Sequence, residues 1–198
     1  MKRLIVSCGG TGGHFNPGLS VARAFRDAGG EVLLLLGGKH AERQKAIAAG
    51  QALGSRIVSC APLSKSPIGL ARFFRALARG VAESKDVLRD FRPDALLSMG
   101  SFASVPPMLA AKLVRVPLFL HAGNARIGKS NRFLSRLADG MALSFPAVNA
   151  ESVHCPVRVT GLPLRAAVLA NRPPSREAAI ERLNREWHAG FDPALPIV

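Results

Sequence analysis

A glycine-rich turn that ends in a histidine lies close to the N-terminus. The motif Gly-Gly-Thr-Gly-Gly-His occupies residues 9–14 and directly follows an apolar run at residues 4–8. Glycines leave backbone N–H groups open to a phosphate or a sugar, and a helix that starts at such a turn favours negative charge at its N-terminus. His14 is a candidate general base, although a polar residue that only caps the turn would look the same. The motif predicts the floor of an active site.

Two later loops carry glycine and polar residues in comparable positions. Residues 100–106 and 121–131 each follow an apolar run. If the strand order is 3-2-1-4-5, the loops after the first, fourth and fifth strands are neighbours where that order reverses, and ligands bind there in open α/β sheets. We therefore expect all three loops to form one crevice. Asn124 in the third loop would contact a sugar hydroxyl or a base edge, or bond only to its own backbone.

Short apolar segments alternate with helix-like segments along the whole chain. This pattern is typical of a doubly wound, mainly parallel α/β sheet with helices on both faces. The predicted strands span residues 2–8, 31–36, 56–60, 94–99, 117–121, 141–145 and 157–160. The predicted helices span residues 17–28, 40–49, 67–90, 104–114, 130–138 and 175–188.

Length and the C-terminal sequence predict a large domain followed by a smaller piece. The chain has 198 residues, enough for one sizeable core with an appendage. We place the domain at residues 1–166, and a linker with a charged helix at residues 167–198. Residues 194–198 resemble the start of a further strand. We therefore expect a fragment whose second domain is cut off.

The charge balance predicts an anionic partner. The net charge is +14, from 27 Lys and Arg residues against 13 Asp and Glu residues. Phosphate, nucleic acid or an acidic membrane surface would all suit it. Nucleic acid has charge alone in its favour, because the sequence offers no aromatic platform and no recognition helix. The three cysteines are widely spaced and no Asp-x-Asp pair is present, so we expect neither a disulfide framework nor a metal site.

The segment at residues 67–82 is amphipathic. Five apolar residues fall on one helical face and three arginines on the opposite one: Leu70, Phe73, Phe74, Leu77 and Val81 against Arg72, Arg75 and Arg79. The helix would pack its apolar face on the sheet and leave the arginines in water. Alternatively, it would touch anionic lipid, or bury Leu77 while presenting Phe73 at its edge.

Two nucleotide-binding motifs are partly matched. A dinucleotide site needs a third glycine where Phe15 stands and an acidic residue at the end of the second strand, which is absent. Residues 123–130 match G-x-x-x-x-G-K-[ST] between a predicted strand and a predicted helix, the context of a phosphate-binding P-loop. No later strand ends in an aspartate that would hold Mg²⁺. A nucleotide hydrolase is therefore the remote alternative.

Taken together, the loops resemble the N-terminal half of the MurG family of peptidoglycan N-acetylglucosaminyltransferases. The resemblance rests on residues 9–14 with the Pro-Gly-Leu that begins at Pro17, on Met-Gly-Ser-Phe-Ala-Ser-Val-Pro at residues 99–106, on His-Ala-Gly-Asn at residues 121–124, and on Gly-Leu-Pro-Leu-Arg at residues 161–165. The order and spacing of the set are specific. The resemblance implies a Rossmann-like domain of a GT-B enzyme.

The resemblance also implies an activity. The family transfers N-acetylglucosamine from UDP-N-acetylglucosamine (UDP-GlcNAc) to the C4 hydroxyl of lipid I, the undecaprenyl-diphosphate-linked muramoyl pentapeptide, and forms lipid II with inversion. No cofactor is implied. The enzyme would be peripheral, on the cytoplasmic face of the bacterial cell membrane. Because most donor contacts in GT-B enzymes come from the C-terminal half, this chain alone should turn nothing over.

Roles for individual residues follow from the resemblance. His14 would be the general base. The donor would contact Thr11, Gly12, Gly13, Asn124 and Arg165. The loops that hold the acceptor diphosphate would include Gly10, Gly100, Ser101, Phe102, Ser104 and His121. The membrane surface would be met by Ile68, Leu70, Phe73, Phe74, Arg72, Arg75 and Arg79.

The chain departs from the family pattern in these loops. Ala122 and Gly123 replace a glutamate and a glutamine, Leu162 replaces an asparagine, and Ser101 and Phe102 stand where glycine and tyrosine are usual. Loss of one polar group from a catalytic site costs on the order of 2–4 kcal/mol of transition-state stabilisation. The alternatives are therefore a catalytically impaired homologue that keeps the fold and a GT-B enzyme with another lipid-linked acceptor.

Overall fold

A seven-stranded parallel sheet forms the centre of the first 163 residues. The computed structural model describes residues 1–64 and 66–195. The strand order is β3-β2-β1-β4-β5-β6-β7, which confirms the predicted 3-2-1-4-5 order and the doubly wound class. The strands are β1 (Arg3–Ser7), β2 (Glu31–Leu36), β3 (Gly54–Ile57), β4 (Ala95–Ser98), β5 (Leu118–Ala122), β6 (Gly140–Leu143) and β7 (Val157–Val159).

Helices cover both faces of this sheet. They are α1 (Gly12–Asp27), α2 (Ala41–Ala49), α3 (Pro67–Phe91), α4 (Val105–Leu113) and α5 (Lys129–Leu134). Two further helices, α6 (Ala166–Ala170) and α7 (Arg176–Trp187), belong to a second compact unit. Right-handed crossovers place α1 and α2 on one face and α3, α4 and α5 on the other. Two separate apolar clusters agree with this division, because one includes Phe15 and Leu19 of α1 and the other includes Leu88 of α3 and Met108 of α4.

The first helix begins earlier than predicted. We expected it at residue 17 because proline is common in a first turn, but α1 starts at Gly12 and contains Pro17. Thr11 is extended, with φ −122° and ψ 163°, and therefore serves as the N-cap residue. Proline removes only one intrahelical hydrogen bond, and the helix forms around it. Gly12, Gly13 and His14 consequently belong to the first turn of a helix, not to a loop.

Other boundaries shift for local reasons. Strand β3 lies at residues 54–57, not 56–60, and pairs with β2 from Gly54 onwards. Helix α5 ends at Leu134 instead of residue 138. Helix α3 follows its prediction closely, because Ser66 caps it by accepting a hydrogen bond from the Gly69 amide at 3.1 Å.

The residues after β7 form a second compact unit. The chain divides into Met1–Pro163 and Leu164–Val198. The short helix α6 in the second unit was not predicted, whereas α7 was, and Ser175 caps α7 by accepting from the Ala178 amide at 3.2 Å. The further strand expected at the C-terminus involves residues 196–198, which lie outside the described residues. Among the described helices, none is both long enough and apolar enough to span a membrane.

Candidate active site

The three predicted loops meet at the carboxyl ends of β1, β4 and β5. A cavity of about 200 Å³ is lined by residues from each of them: His14 after β1, Ser101 after β4, and Asn124 with its neighbours after β5. The expectation of one shared crevice is therefore met. The position agrees with the strand order, because the order reverses between β1 and β4.

His14 is held by a single backbone hydrogen bond. Its Nδ1 lies 2.7 Å from the carbonyl oxygen of Met99, the residue that follows β4. A carbonyl oxygen only accepts, so Nδ1 carries the proton and the neutral ring keeps its lone pair on Nε2. The ring is half-buried and lines the cavity. His14 thus has the tautomer that a general base requires.

The N-terminus of α1 lies beside this histidine. Thr11 makes no side-chain capping bond, and the first turn contains no acidic residue. Within the described chain, the amides of Gly12 and Gly13 have no acceptor. Thr11, Gly12 and Gly13 are exposed. Uncapped N–H groups at the start of a 16-residue helix attract an anion.

The loop after β4 is shaped by two residues in the left-handed region. Gly100 has φ +87° and Ser101 has φ +75°. The Ser101 hydroxyl donates to the Gly9 carbonyl at 3.4 Å and accepts from the Ala103 amide at 3.2 Å. Phe102 packs over Gly10, where an added Cβ would lie 3.9 Å from its ring. These contacts join the second loop to the first.

Two of the predicted diphosphate-loop residues lie below the cavity surface. Ser104 is fully buried, and its hydroxyl donates to the carbonyls of Gly100, at 2.8 Å, and Ser7, at 3.3 Å. His121 is 5% exposed, with Nε2 3.2 Å from the Ser144 hydroxyl. Both side chains support the loops from beneath.

Burial perturbs the titration of His121. It lowers the pKa of the imidazole below 6.5, a hydrogen bond with the Gly161 backbone opposes this, and positive charge on His14 lowers the pKa further. As the pH falls, His121 is therefore protonated at a higher pH in the unfolded chain than in the folded one. The stabilisation is complete above about pH 6.5 and is lost as the pH falls toward the folded-state pKa.

We expect the free energy of unfolding to fall on acidification by up to about 1.4 kcal/mol per pH unit from this one group. The slope should be shallower in His121→Gln. Urea denaturation from about pH 7.5 to about pH 5 measures it, with His40→Gln, at an exposed position, as the matched control. Equal slopes in the parent and in His121→Gln would contradict the assignment.

The loop after β5 contributes most of the cavity wall. Asn124, Arg126 and Lys129 are exposed side chains that line it, whereas Ala122 is buried. None of the lining residues in the described structure is acidic. The cavity therefore has a positive character that suits phosphate or carboxylate groups.

Asn149 holds this loop in place and was missed by the sequence reasoning. It is 7% exposed; its Oδ1 accepts from the Ile127 amide at 2.8 Å, and its Nδ2 donates to the Ile127 carbonyl at 3.1 Å. The Val148 amide adds a bond to Ala125 at 2.9 Å. Because the Ile127 amide is already bonded, the loop does not offer the full set of free amides that a P-loop needs. Nothing in an isolated asparagine within a predicted turn signals this role.

The N-terminal half of α3 has some apolar side chains that pack against the domain and others that are exposed. Phe73 and Leu77 face Phe102 and Pro106 across a narrow gap, while Phe74 is 57% exposed and Ile68 is 78% exposed. Phe74 therefore does not share the packed face, as the alternative in which the whole apolar face packs on the sheet would require. Phe73 and Phe74 are adjacent, about 100° apart around the helix, so the side of α3 that turns Phe73 toward Phe102 leaves Phe74 exposed. Leu70 is also exposed.

The arginines of α3 differ in how free they are. Arg72, Arg75 and Arg79 are all exposed. Arg79 forms an ion pair with Glu83 at 2.7 Å, whereas Arg72 and Arg75 form none within the described residues. Two arginines therefore remain available to an anionic surface.

Arg165 belongs to the second compact unit, where it precedes α6. Its predicted contact with the donor stays a prediction. Among residues 1–64 and 66–195, no three His, Cys, Asp or Glu side chains come together in a way that would hold a metal ion.

Comparison with known protein families identifies the family of this domain. The model of the glycosyltransferase family 28 N-terminal domain matches residues 4–143, which include all three cavity loops. The chain belongs to this family. Membership in glycosyltransferase family 28 removes the nucleotide-hydrolase alternative, because the G-x-x-x-x-G-K-S match then falls inside a glycosyltransferase domain.

Curated relatives carry one activity name. A protein of Methylobacterium sp. (strain 4-46) is 35% identical over 169 residues, which is 84% of this chain and 45% of that protein. One of Thermus thermophilus is 34% identical over 204 residues, 98% of this chain and 53% of that protein. Both are named UDP-N-acetylglucosamine--N-acetylmuramyl-(pentapeptide) pyrophosphoryl-undecaprenol N-acetylglucosamine transferase. The resemblance to MurG is thus confirmed, and the chain spans about half the length of these relatives.

Solved structures share the fold. Acinetobacter baumannii MurG has a TM-score of 0.70 at 22% identity, covering 91% of this chain and 49% of that one. The UDP-GlcNAc 2-epimerase of Neisseria meningitidis, bound to UDP-GlcNAc, has a TM-score of 0.62 at 18% identity, covering 94% of this chain and 51% of that one. At these identities the likeness shows a common Rossmann-like architecture.

Proposed function

We propose that this chain is the acceptor-binding half of an inverting glycosyltransferase that moves N-acetylglucosamine from UDP-GlcNAc to lipid I and so forms lipid II. The observation that carries the proposal is the cavity that brings together His14 in the first turn of α1, Ser101 and the third loop. The names of the curated relatives supply the substrates. The site of action would be the cytoplasmic face of the bacterial membrane, as a peripheral enzyme without a cofactor.

In this mechanism His14 Nε2 accepts the proton of the acceptor C4 hydroxyl. The hydroxyl oxygen attacks the anomeric carbon of N-acetylglucosamine from the side opposite UDP. The bond between that carbon and the UDP oxygen breaks, and UDP leaves with the electron pair, which inverts the configuration. The Met99 carbonyl fixes the ring and stabilises the imidazolium that forms.

Anionic groups would be bound around this base. The resemblance assigns Gly12 and Gly13 to the donor, but their free amides at the start of α1 suit a diphosphate, and we propose that they bind the acceptor diphosphate instead. Arg126 and Lys129 add positive charge at the cavity wall. Asn124 would hydrogen-bond the donor sugar. Arg165 and the second half that the relatives possess would supply further donor contacts.

A catalytically impaired homologue is the second candidate. The observation in its favour is the third loop, where Ala122 is buried, Gly123 lines the cavity, and no carboxylate is present. In an active enzyme, water or Asn124 would have to take the place of this missing carboxylate. This candidate predicts normal acceptor binding with little transfer.

The direct test is a transfer assay. The chain is joined to a C-terminal half like that of its Thermus thermophilus relative, and this completed enzyme is given labelled UDP-GlcNAc and lipid I in detergent. Formation of labelled lipid II, with little or none from other UDP-sugars, is the expected result. Binding of lipid I without transfer would favour the impaired homologue, provided that Ala122→Glu does not restore activity. Absence of lipid I binding would contradict the proposal.

The exposed part of α3 is proposed to contact the membrane. Phe74→Ser removes an apolar side chain that would insert among lipids, and Arg75→Glu reverses a charge that would face lipid phosphates. Each change should weaken co-sedimentation with vesicles rich in anionic lipid about tenfold, since it removes about 1–2 kcal/mol. Ile47→Ser and Arg43→Glu on α2 are matched controls. Unchanged pelleting of both α3 variants would make this half of the helix purely structural.

A further inference from the structure

A second positively charged depression adjoins the candidate active site. It has a volume of about 310 Å³ and is lined by Lys129, Arg132, Phe133, Arg136, Ser152 and His154. We call it the α5 groove. None of its lining residues is acidic, and Phe133 is 60% exposed at its surface. Its chemistry suits an extended ligand that carries carboxylates and some apolar surface.

The walls of the α5 groove are fixed by buried contacts. Helix α5 provides one wall, and the segment with Ser152 and His154 provides the other. Ser135, fully buried between them, accepts from the His154 amide at 3.0 Å and donates to the Arg132 carbonyl at 2.7 Å. The groove therefore exists before any ligand arrives, which lowers the entropic cost of binding.

The groove adjoins the active-site cavity. Lys129 lines both of them. Arg132 lies about one helical turn beyond Lys129 on α5, and Arg136 lies in the turn that follows the helix. A ligand that enters the cavity and extends along this wall would meet one cation after another.

The chemistry of the proposed acceptor requires such an exit. A muramoyl sugar carries its diphosphate on C1 and its lactoyl peptide on C3, next to the C4 hydroxyl that reacts. The peptide must therefore leave the cavity close to His14, while the diphosphate is bound elsewhere. The uncapped amides of Gly12 and Gly13 suit the diphosphate. The α5 groove is then free to bind the other anionic part of the acceptor, the peptide.

We propose that the α5 groove binds the carboxylates of the acidic peptide on the muramoyl acceptor. The proposal rests on the proposed function and names a part of the substrate that it does not place. Anionic lipid is the less favoured occupant, because the groove has a single exposed apolar side chain, whereas the exposed part of α3 has three. Binding of lipid headgroups would also not explain why the groove adjoins the cavity.

The test compares two soluble acceptors in direct binding to this chain. Both are muramoyl diphosphates on a short isoprenyl tail; one bears the full pentapeptide, and the other bears a single alanine. We expect the full acceptor to bind about tenfold more tightly. Arg136→Glu should abolish that difference and leave the affinity for the single-alanine acceptor unchanged. Arg136→Lys, and Arg43→Glu at an exposed position on α2, should keep the difference.

Each other result overturns the proposal in a distinguishable way. Equal affinity of the parent chain for both acceptors removes the peptide site and leaves the proposed function standing. Failure of both acceptors to bind removes the two together. Equal weakening of both acceptors by Arg136→Glu assigns the arginine to general charge attraction. A retained tenfold difference with weaker binding to anionic vesicles assigns the groove to lipid.

Discussion

Replacement of His14 by alanine is expected to lower kcat of the completed enzyme by about two to four orders of magnitude, the usual contribution of a positioned general base. The KM for UDP-GlcNAc should change little. The reason is geometric: Met99 fixes the ring through Nδ1, so Nε2 is the atom available for the acceptor proton. A steady-state assay measures both effects.

Two comparisons make the His14 result interpretable. His14→Gln keeps a side chain that can donate to the Met99 carbonyl but has no basic nitrogen, so it should be as inactive as alanine and more stable. His40→Ala removes an exposed imidazole elsewhere and should keep full activity. Unchanged turnover in His14→Ala would exclude the histidine from proton transfer. A loss confined to KM would assign it to binding.

Gly13→Ala should weaken acceptor binding about tenfold to hundredfold while folding is unharmed. An added Cβ at Gly13 would lie 3.8 Å from the Thr11 hydroxyl, an ordinary contact, and alanine is a better helix former by up to about 1 kcal/mol. The methyl group would, however, stand where an anion approaches the free amides of α1. Loss of one hydrogen bond to a charged group is worth about 1.5–3 kcal/mol. Titration with the soluble pentapeptide acceptor measures the change.

Gly18→Ala on the same helix is the structural counterpart. A Cβ there would lie 2.7 Å from Cys8 Cβ and 3.0 Å from Met99 Cγ, so α1 must move away from β1. We expect a loss of about 1–3 kcal/mol in the free energy of unfolding. Two results would contradict the prediction that an anion closely approaches the N-terminus of α1. One is a loss of stability in Gly13→Ala as large as that expected for Gly18→Ala. The other is binding of the acceptor by Gly13→Ala as tight as binding by the parent.

The sheet could be predicted from the sequence because its strands are buried on both faces. Residues 32–36 form an unbroken apolar run, which is the signature of such strands. Their alternation with helices restricts the topology to a few right-handed arrangements. Only some boundaries failed, as at Pro17, where the extended Thr11 decided the helix start and the proline did not.

The sequence by itself determined which loops line the cavity. Residues 9–14, 100–106 and 121–131 follow strands whose order places their carboxyl ends together. This inference works because strand ends and motif types are local properties. The same holds for the positive character of the cavity, which follows from Arg126 and Lys129 in one of those loops.

Only the tertiary structure decided which side chains face the cavity and which hold its loops in place. Asn149 bonds to Ile127 across 22 positions of sequence, and Met99 orients His14 across 85. Phe73 faces Phe102 and Phe74 is exposed because α3 packs with the Phe73 side of the helix toward Phe102. The α5 groove likewise joins α5 to a segment that follows β6. Hydrogen bonds and packing between distant segments depend on where the chain folds back. A local sequence pattern does not show which distant residues will then be in contact.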